Sequence, residues 1–469
     1  MVKTEKQIFA NDAKKVARRP KVIVVGAGFG GLNAVEKLAD VAVDIVLVDR
    51  DNYHGFWPLL YQVATSGLGP QDIARPIRAI FKGRQPNLDI VLGNVVSINL
   101  QDKTVCIEGE KSLSYDYLVL SPGSSTADFG IEGVNEFAFP LKTLPDATAL
   151  RDHILTSFEL ADADDLYIEK GALNFVIAGG GPTGVEVAGA LSELVKKNLS
   201  QDFHHLDVSR SRIILVETTD HLLGQFSKPS QRRALEGLIS KGVEVHLGQS
   251  IASVARDHVV LGDSSIIPTA TVIWTAGIRA NPLLDTLGVQ QMRNGAVVVG
   301  QDLSIPNHSE VFVIGDSAYA IDKKGAPLPQ LAPFAVQGGR HVAKCIRNDL
   351  SYTPRPKFSY LNKGIMATIG RRSAVAEIPV VGLKLGGTIG WISWLLVHLL
   401  FLIDFRQKIM VLWSWVWNYF TWERSSRVII GTVPIPHASQ LFSNHPLVES
   451  SDLGPKGVDP QDSIQPLSD

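Results

Sequence analysis

Two stretches of the chain are unbroken apolar runs that stop abruptly at glycine. KVIVV (21–25) leads into GAGFGG, and NFVIAG (174–179) leads into GGPTG. Continuous β-branched runs of this length suit parallel strands buried on both faces. After each glycine cluster the pattern turns helical, in LNAVEKLA and VEVAGALSELVKK. It then returns to a short apolar strand closed by an acid, DIVLVD or RIILVE. The chain therefore contains strand–turn–helix–strand twice. The copies start 153 positions apart (179 − 26), which marks a duplicated domain rather than a short repeat.

The turns carry the chemistry. In the first copy Gly26, Gly28 and Gly31 form GxGxxG, with Phe29 and Gly30 inside it. The first glycine permits the tight turn, the second lets the backbone approach a pyrophosphate, and the third lets helix pack on strand. Phosphates then meet the free N–H groups at the helix start. Asp49 follows 23 positions after Gly26 (49 − 26), where an acid accepts hydrogen bonds from ribose hydroxyls. In the second copy Gly179, Gly181 and Gly184 form the fingerprint around Pro182 and Thr183. Its acid, Glu217, comes 38 positions on (217 − 179), and NLSQDFHHLDVSRS (198–211) fills the extra length as a helix extension plus a loop. A carboxylate there would repel a 2′-phosphate, which favours NADH over NADPH. The alternative for Glu217 is an ordinary solvated strand end. Two such units in one chain imply a flavin dinucleotide in one and a nicotinamide dinucleotide in the other.

The pattern changes near the C-terminus. TIGWISWLLVHLLFLIDF (388–405) is almost wholly apolar, but its run to Ile403 is 16 residues (403 − 388 + 1). A helix of that length spans about 24 Å, short of a hydrocarbon core of about 30 Å. The next stretch, RQKIMVLWSWVWNYFTWERSSR (406–427), is basic at both ends, and six of the eight tryptophans fall between Trp391 and Trp422. Aromatic and basic residues at this density suit the lipid headgroup level. The favoured reading is two amphipathic helices lying in a membrane interface. A single transmembrane span and a soluble dimer interface are the alternatives.

Composition narrows the field. Hydrophobic residues at 45% and charged residues at 20% describe a globular chain of two or three domains. A net charge of −2 gives no electrostatic footprint for nucleic acid. Two cysteines, Cys106 and Cys345, exclude a disulfide framework, a four-thiolate metal or iron–sulfur site and a closely spaced redox pair. No metal site is expected, and a reducing compartment fits. Residues 1–20 lack the apolar segment of a secretory signal and read as a flexible arm. Residues 434–469 read as a disordered tail.

The layout resembles the two-dinucleotide-binding-domain flavoproteins. YLVLSPGS (117–124) and VIWTAGI (272–278) look like their paired crossing turns, and EVFVIGDSA (310–318) like their second flavin motif. Within that superfamily, NYHGFWPLLYQVATSGL (52–68), GGGPTGVEVAG (179–189), LAPFAVQGGRHVAK (331–344) and KGIMATIGRRSAV (363–375) resemble type II NADH dehydrogenases, over about residues 21–430. The resemblance implies non-covalent FAD, hydride transfer from NADH, reduction of a membrane quinone without proton pumping, and peripheral attachment to a membrane. FAD would be held by Gly26, Gly28, Phe29, Gly30, Gly31, Asp49, Arg50, Val95, Gly123 and Asp316. NADH would be held by Gly179, Gly181, Pro182, Thr183, Gly184, Glu186, Glu217 and Gly277. The expected setting is the lipid surface on the cytoplasmic face of the inner (plasma) membrane, as a homodimer.

The family typically carries Ala-Gln-x-Ala-x-Gln beside the quinone end of the flavin. Here the stretch is Ala332-Pro333-Phe334-Ala335-Val336-Gln337, so the first glutamine is replaced by a residue with no amide. Gln337 remains as the candidate quinone contact, or else as an amide bonding the backbone. Glu186, placed in the first turn of the second helix, is the candidate for orienting nicotinamide and relaying protons. Its alternative is to complement the helix dipole. His54 reads as structural.

The expected fold is α/β, with two Rossmann-like domains and a C-terminal amphipathic helical module that contacts membrane. The FAD domain would be discontinuous, 21–145 with 294–365. The NADH domain would occupy 146–293, and the module 366–433. A soluble NAD(P)H-dependent flavin reductase of another acceptor and a flavin/NADH-binding redox sensor are the rival functions.

Overall fold

The computed structural model describes residues 18–83, 85–109, 112–424 and 426–431. Most of the expected N-terminal arm and all of the expected tail lie outside them.

Both glycine-rich units fold as the pattern predicts. In the first, strand Lys21–Val25 pairs in parallel with Asp44–Asp49 on one side and Tyr117–Leu120 on the other. Leu88–Leu92 extends one edge, and His308–Val313 joins the other from late in the chain, giving six strands with Ser304–Ile305. In the second, Asn174–Ala178 lies between Arg212–Glu217 and Thr271–Trp274, with Val243–Leu247 and Ala138–Pro140 at the edges. The central strands are almost wholly buried: helices pack on one face of the second sheet, and the antiparallel strands Ile251–Val254, His258–Leu261 and Ile266–Pro268 pack on the other.

The expected helical module starts differently. Residues 365–386 form a three-stranded antiparallel sheet, Ile365–Gly370, Ser373–Ile378 and Leu383–Gly386. The first of these strands lies against the helix Pro182–Leu194, and Ala367, Ile369, Ala374 and Val375 belong to the same core as that helix. Two helices follow, Gly387–Phe401 and Phe405–Thr421, separated by a break at Leu402–Asp404. Among the described residues no helix is long and apolar enough to cross a membrane, so these helices do not form the single span that the apolar run left open.

The helices are docked on the body along one side. Trp394 and Val411 are buried, Gln407 donates to the Ala74 carbonyl at 3.1 Å, and Asp404 pairs with Arg75 at 3.0 Å. The opposite side exposes Ile389, Ile392, Leu396 and Leu400 at helical spacing, with Trp413 and Phe420 on the second helix. The tryptophans divide accordingly. Trp413 and Trp417 face outward, whereas Trp394 and Trp415 turn into the protein and line a cavity, a separation that composition does not reveal.

Candidate functional site

The two cradles are built alike, atom for atom. Gly26 and Gly179 take φ values of +95° and +102°, a region that L side chains rarely adopt. Their N–H groups donate to Val48 and Val216, each at 2.8 Å. A Cβ on Gly31 would lie 1.8 Å from the Gly26 carbonyl oxygen, and one on Gly184 would lie 1.9 Å from that of Gly179. Each acid grips the turn beside it. Asp49 Oδ2 accepts from the Ala27 N–H at 2.5 Å, and Glu217 Oε2 accepts from the Gly180 N–H at 2.6 Å.

The environments of the acids differ. Burial raises the Asp49 carboxyl above its ordinary value, against the pull of the Ala27 and Asp51 N–H groups. Burial also pushes Glu217 upward, but bonds from Thr219, Gly180 and Thr218 outweigh it and hold the group below its usual range. Glu217 is thus a fixed anion at the strand tip.

In front of the first turn lies a cavity of about 660 Å³, lined by Gly26, Gly28, Asp49, Arg50, Val95, Gly123 and Asp316 among others. Seven of the expected FAD residues therefore meet around one space. Phe29, Gly30 and Gly31 stand behind it: the Phe29 ring packs edge-on against His54 and Phe56. Asp316 accepts from Ser124 Oγ at 2.6 Å and lies 3.6 Å from Lys142 Nζ. The cavity fits FAD on two counts. A Cβ at Gly28 would meet nothing within 4 Å, so the backbone is open to a phosphate. His54, in the wall, has its Nδ1 on the Ala27 carbonyl at 2.9 Å and leaves a buried Nε2 without a partner. Burial pushes its ring down to about 4, so it is neutral at physiological pH.

Glu186 joins this region to a second one. It is the fifth residue of its helix, one position beyond the expected first turn. It lines a small cavity of about 170 Å³ with Thr183, Gly277 and Lys142, and also an aromatic cavity of about 540 Å³ beneath the C-terminal helices. Tyr61 is the other residue common to both. Burial raises the Glu186 carboxyl to about 8, and the Thr368 N–H, 3.2 Å from Oε1, and the neighbouring Trp394 indole oppose this only in part.

Gln337 is placed elsewhere. Its helix begins at Ala332, five residues before it, and Pro333 occupies the first turn, where a missing N–H costs nothing. Both ends of the Gln337 amide are engaged by Leu361, whose carbonyl accepts at 3.0 Å and whose N–H donates at 2.9 Å. The amide bonds backbone, which is the alternative the sequence left open.

Several residues were not singled out from sequence: Tyr61, Gln62, Trp394, Trp415, Thr368 and Phe129. The first two sit inside the aromatic stretch 52–68, and the tryptophans belong to the membrane-like segment. Phe129 had a signal only in the backbone. It holds a φ of +55°, an uncommon conformation for a bulky residue, and its exposed ring lies over Gly277.

Two matched dinucleotide cradles in one chain define a pyridine-nucleotide-linked oxidoreductase. The family model for pyridine nucleotide-disulphide oxidoreductases matches residues 20–339. The chain is 38% identical over 427 residues to a type II NADH:quinone oxidoreductase of Mycobacterium tuberculosis, covering 88% of this chain and 90% of the relative. It is 30% identical to the type II NADH:quinone oxidoreductase of Staphylococcus haemolyticus, over 77% of this chain and 90% of that one. Its fold is similar to NDH2 from Plasmodium falciparum in complex with NADH, with a TM-score of 0.80 at 19% identity, covering 88% of this chain and 100% of that one. The chain belongs to the type II NADH:quinone oxidoreductases. Within the wider disulphide-oxidoreductase family it lacks a cysteine pair: Cys106 and Cys345 are free, and burial pushes the Cys345 thiol up to about 12.

Proposed function

We propose that the chain oxidises NADH and reduces a membrane quinone, without pumping protons. FAD, when bound, would supply a two-electron carrier between NADH and the quinone, in ping-pong order. The single observation that carries the reading is the position of Glu186, in the wall common to the nucleotide-side cavity and the aromatic cavity.

The turn Gly26–Gly28, with Asp49, Val95, Gly123 and Asp316, holds the flavin nucleotide, and the turn from Gly179 with Glu217 holds NADH. The division into an FAD domain (21–145 with 294–365), an NADH domain (146–293) and a membrane module (366–433) follows from the same reading. Glu217, kept anionic, repels a 2′-phosphate and selects NADH. Glu186, with its carboxyl raised to about 8, holds a proton at neutral pH and delivers it at the junction. The aromatic cavity excludes water around the quinone ring, opening toward the exposed apolar face of the two helices. That face rests on the lipid surface at the cytoplasmic side of the inner (plasma) membrane, and the chain works as a homodimer.

The test is stopped-flow spectroscopy on detergent-purified protein, with NADH and with menaquinone, ubiquinone and plastoquinone analogues. Glu186→Gln is expected to slow quinone-dependent flavin reoxidation by about 10²-fold. Unchanged rates in both half-reactions would remove Glu186 from the mechanism, and a colourless preparation that cannot be reconstituted with FAD would remove the whole reading.

A further inference from the structure

A quinone carbonyl needs hydrogen-bond donors, and Pro333 supplies none. The aromatic cavity contains a donor arrangement of its own. Trp415, on the helix Phe405–Thr421, donates its indole N–H to Gln62 Oε1 at 2.8 Å. An indole nitrogen is a donor only, so it fixes which way the Gln62 amide faces. The amide nitrogen must then point at the neighbour on its other side, and Gln62 Nε2 donates to the Tyr61 hydroxyl oxygen at 2.9 Å. That oxygen is acting as an acceptor, so its own hydrogen has to go elsewhere. Among the described residues no group accepts it.

Tyr61 is buried, at 5% exposure, with its ring edge-on to Trp394 at 6.2 Å. It lines both the small cavity and the aromatic one, beside Glu186. A buried hydroxyl with an uncommitted hydrogen is costly unless something accepts from it. The bonds of its neighbours run elsewhere: Glu186 Oε1 takes the Thr368 N–H, Gln62 Oε1 takes the indole, and among the described residues no hydrogen bond joins the Tyr61 hydroxyl to Glu186. The remaining space is the cavity itself, about 540 Å³ and lined mainly by aromatic and aliphatic side chains, the size and character of a site for a fused aromatic ring.

We propose that the Tyr61 hydroxyl donates to a carbonyl oxygen of the quinone acceptor, and that Gln62, oriented by Trp415, is the positioning residue that turns this hydroxyl toward the cavity. The inference rests on the quinone reading above and assigns a contact that Pro333 does not provide. It also ties the acceptor site to the lipid-facing helix, since Trp415 lies on the inner side of the element that exposes Trp413 and Phe420.

A matched pair of probes separates hydrogen bonding from shape. 2,3-Dimethyl-1,4-naphthoquinone has carbonyls, and 2,3-dimethylnaphthalene has the same ring system without them. Binding to the full-length FAD-loaded protein in detergent is followed by tryptophan quenching for the quinone and by the hydrocarbon's own emission. Tyr61→Phe is expected to weaken the quinone about fivefold while leaving the hydrocarbon within about twofold. Gln62→Met, which keeps side-chain length but removes the amide, is expected to weaken the quinone about threefold with the same indifference to the hydrocarbon. Equal losses for both probes in Tyr61→Phe would make Tyr61 a wall residue and overturn the proposal, as would no loss for either. The function reading fails by a different result, the absence of quinone-dependent NADH oxidation in the unaltered protein. If that turnover is present and the quinone binds Tyr61→Phe undiminished, only this inference falls.

Discussion

At the scale of single residues, the Glu186 carboxyl is retained at a cost to the fold. Its ordinary value of 4.5 is raised to about 8 by burial. Between those two values the unfolded chain has lost the proton while the folded chain still holds it. The unfolded state therefore binds fewer protons, and stability falls as pH rises from about 4.5 through 8. Below that window the group is neutral in both states and costs nothing extra. Glu186→Gln removes the ionisable group while keeping the size, so its melting temperature should match the unaltered protein near pH 5. It should exceed it by about 3 °C or more at pH 9. Differential scanning calorimetry across that range checks it; a constant offset at all pH values would mean that Glu186 is not desolvated. The same substitution that slows reoxidation is thus expected to stabilise the protein, as at sites where chemistry is kept at the expense of stability.

At the scale of elements, the helix Pro182–Leu194 is held between the second sheet and the hairpin Ile365–Ile378, and its glycines set the spacing. A Cβ on Gly189 would lie 2.1 Å from the Ile369 carbonyl oxygen, so the hairpin packs directly on helix backbone. Gly189→Ala should push the hairpin away, carrying Thr368 and its N–H with it. We expect a loss of about 1–3 kcal/mol in denaturant unfolding, together with slower reoxidation because the group that holds Glu186 Oε1 has moved. A loss of stability with unchanged reoxidation would uncouple the hairpin from the site. This contact also marks where sequence reading ends. The cradles were legible because their signals are local: an apolar run, three glycines and an acid within one βαβ unit. The hairpin was absorbed into a helical module, because nothing in ATIGRRSAV announces that its partner lies 180 residues earlier. The donor line was hidden for the same reason, since Trp415 and Gln62 are separated by 353 positions and were read respectively as a headgroup tryptophan and as part of a family motif. Gln337 shows the converse: a motif position identified the residue, but its amide is held by Leu361, a contact made only when the chain folds back over 24 positions.

At the scale of the whole molecule, the question is how a donor that lives in water and an acceptor dissolved in lipid are served by one chain. Each parallel sheet carries one cradle, and adjoining cavities run from the first turn toward the C-terminal helices, sharing Trp57 and Lys142 and then Tyr61 and Glu186. Those helices have one side in the core, through Trp394 and Val411, and one side with Leu400 and Phe420 61% and 77% exposed. An apolar face of this extent on a docked pair of helices suits burial at the boundary of headgroups and acyl chains. Removing the helices altogether would take Trp394 out of the core, so truncation tests folding as much as anchoring. Charge on the outer face is the cleaner perturbation. Leu400→Glu combined with Phe405→Glu changes two outward side chains, neither of which lines the aromatic cavity. It is expected to release the protein from liposomes in a flotation assay while NADH reduction of FAD continues at its usual rate. Turnover with a long-chain quinone embedded in the same liposomes should fall by at least about tenfold, because the acceptor can be reached only from the bilayer. Turnover with a water-soluble short-chain analogue should be retained. Flotation of the doubly charged variant together with the vesicles would show that the two helices do not hold this chain on lipid, and their apolar face would then belong to a second copy of the chain.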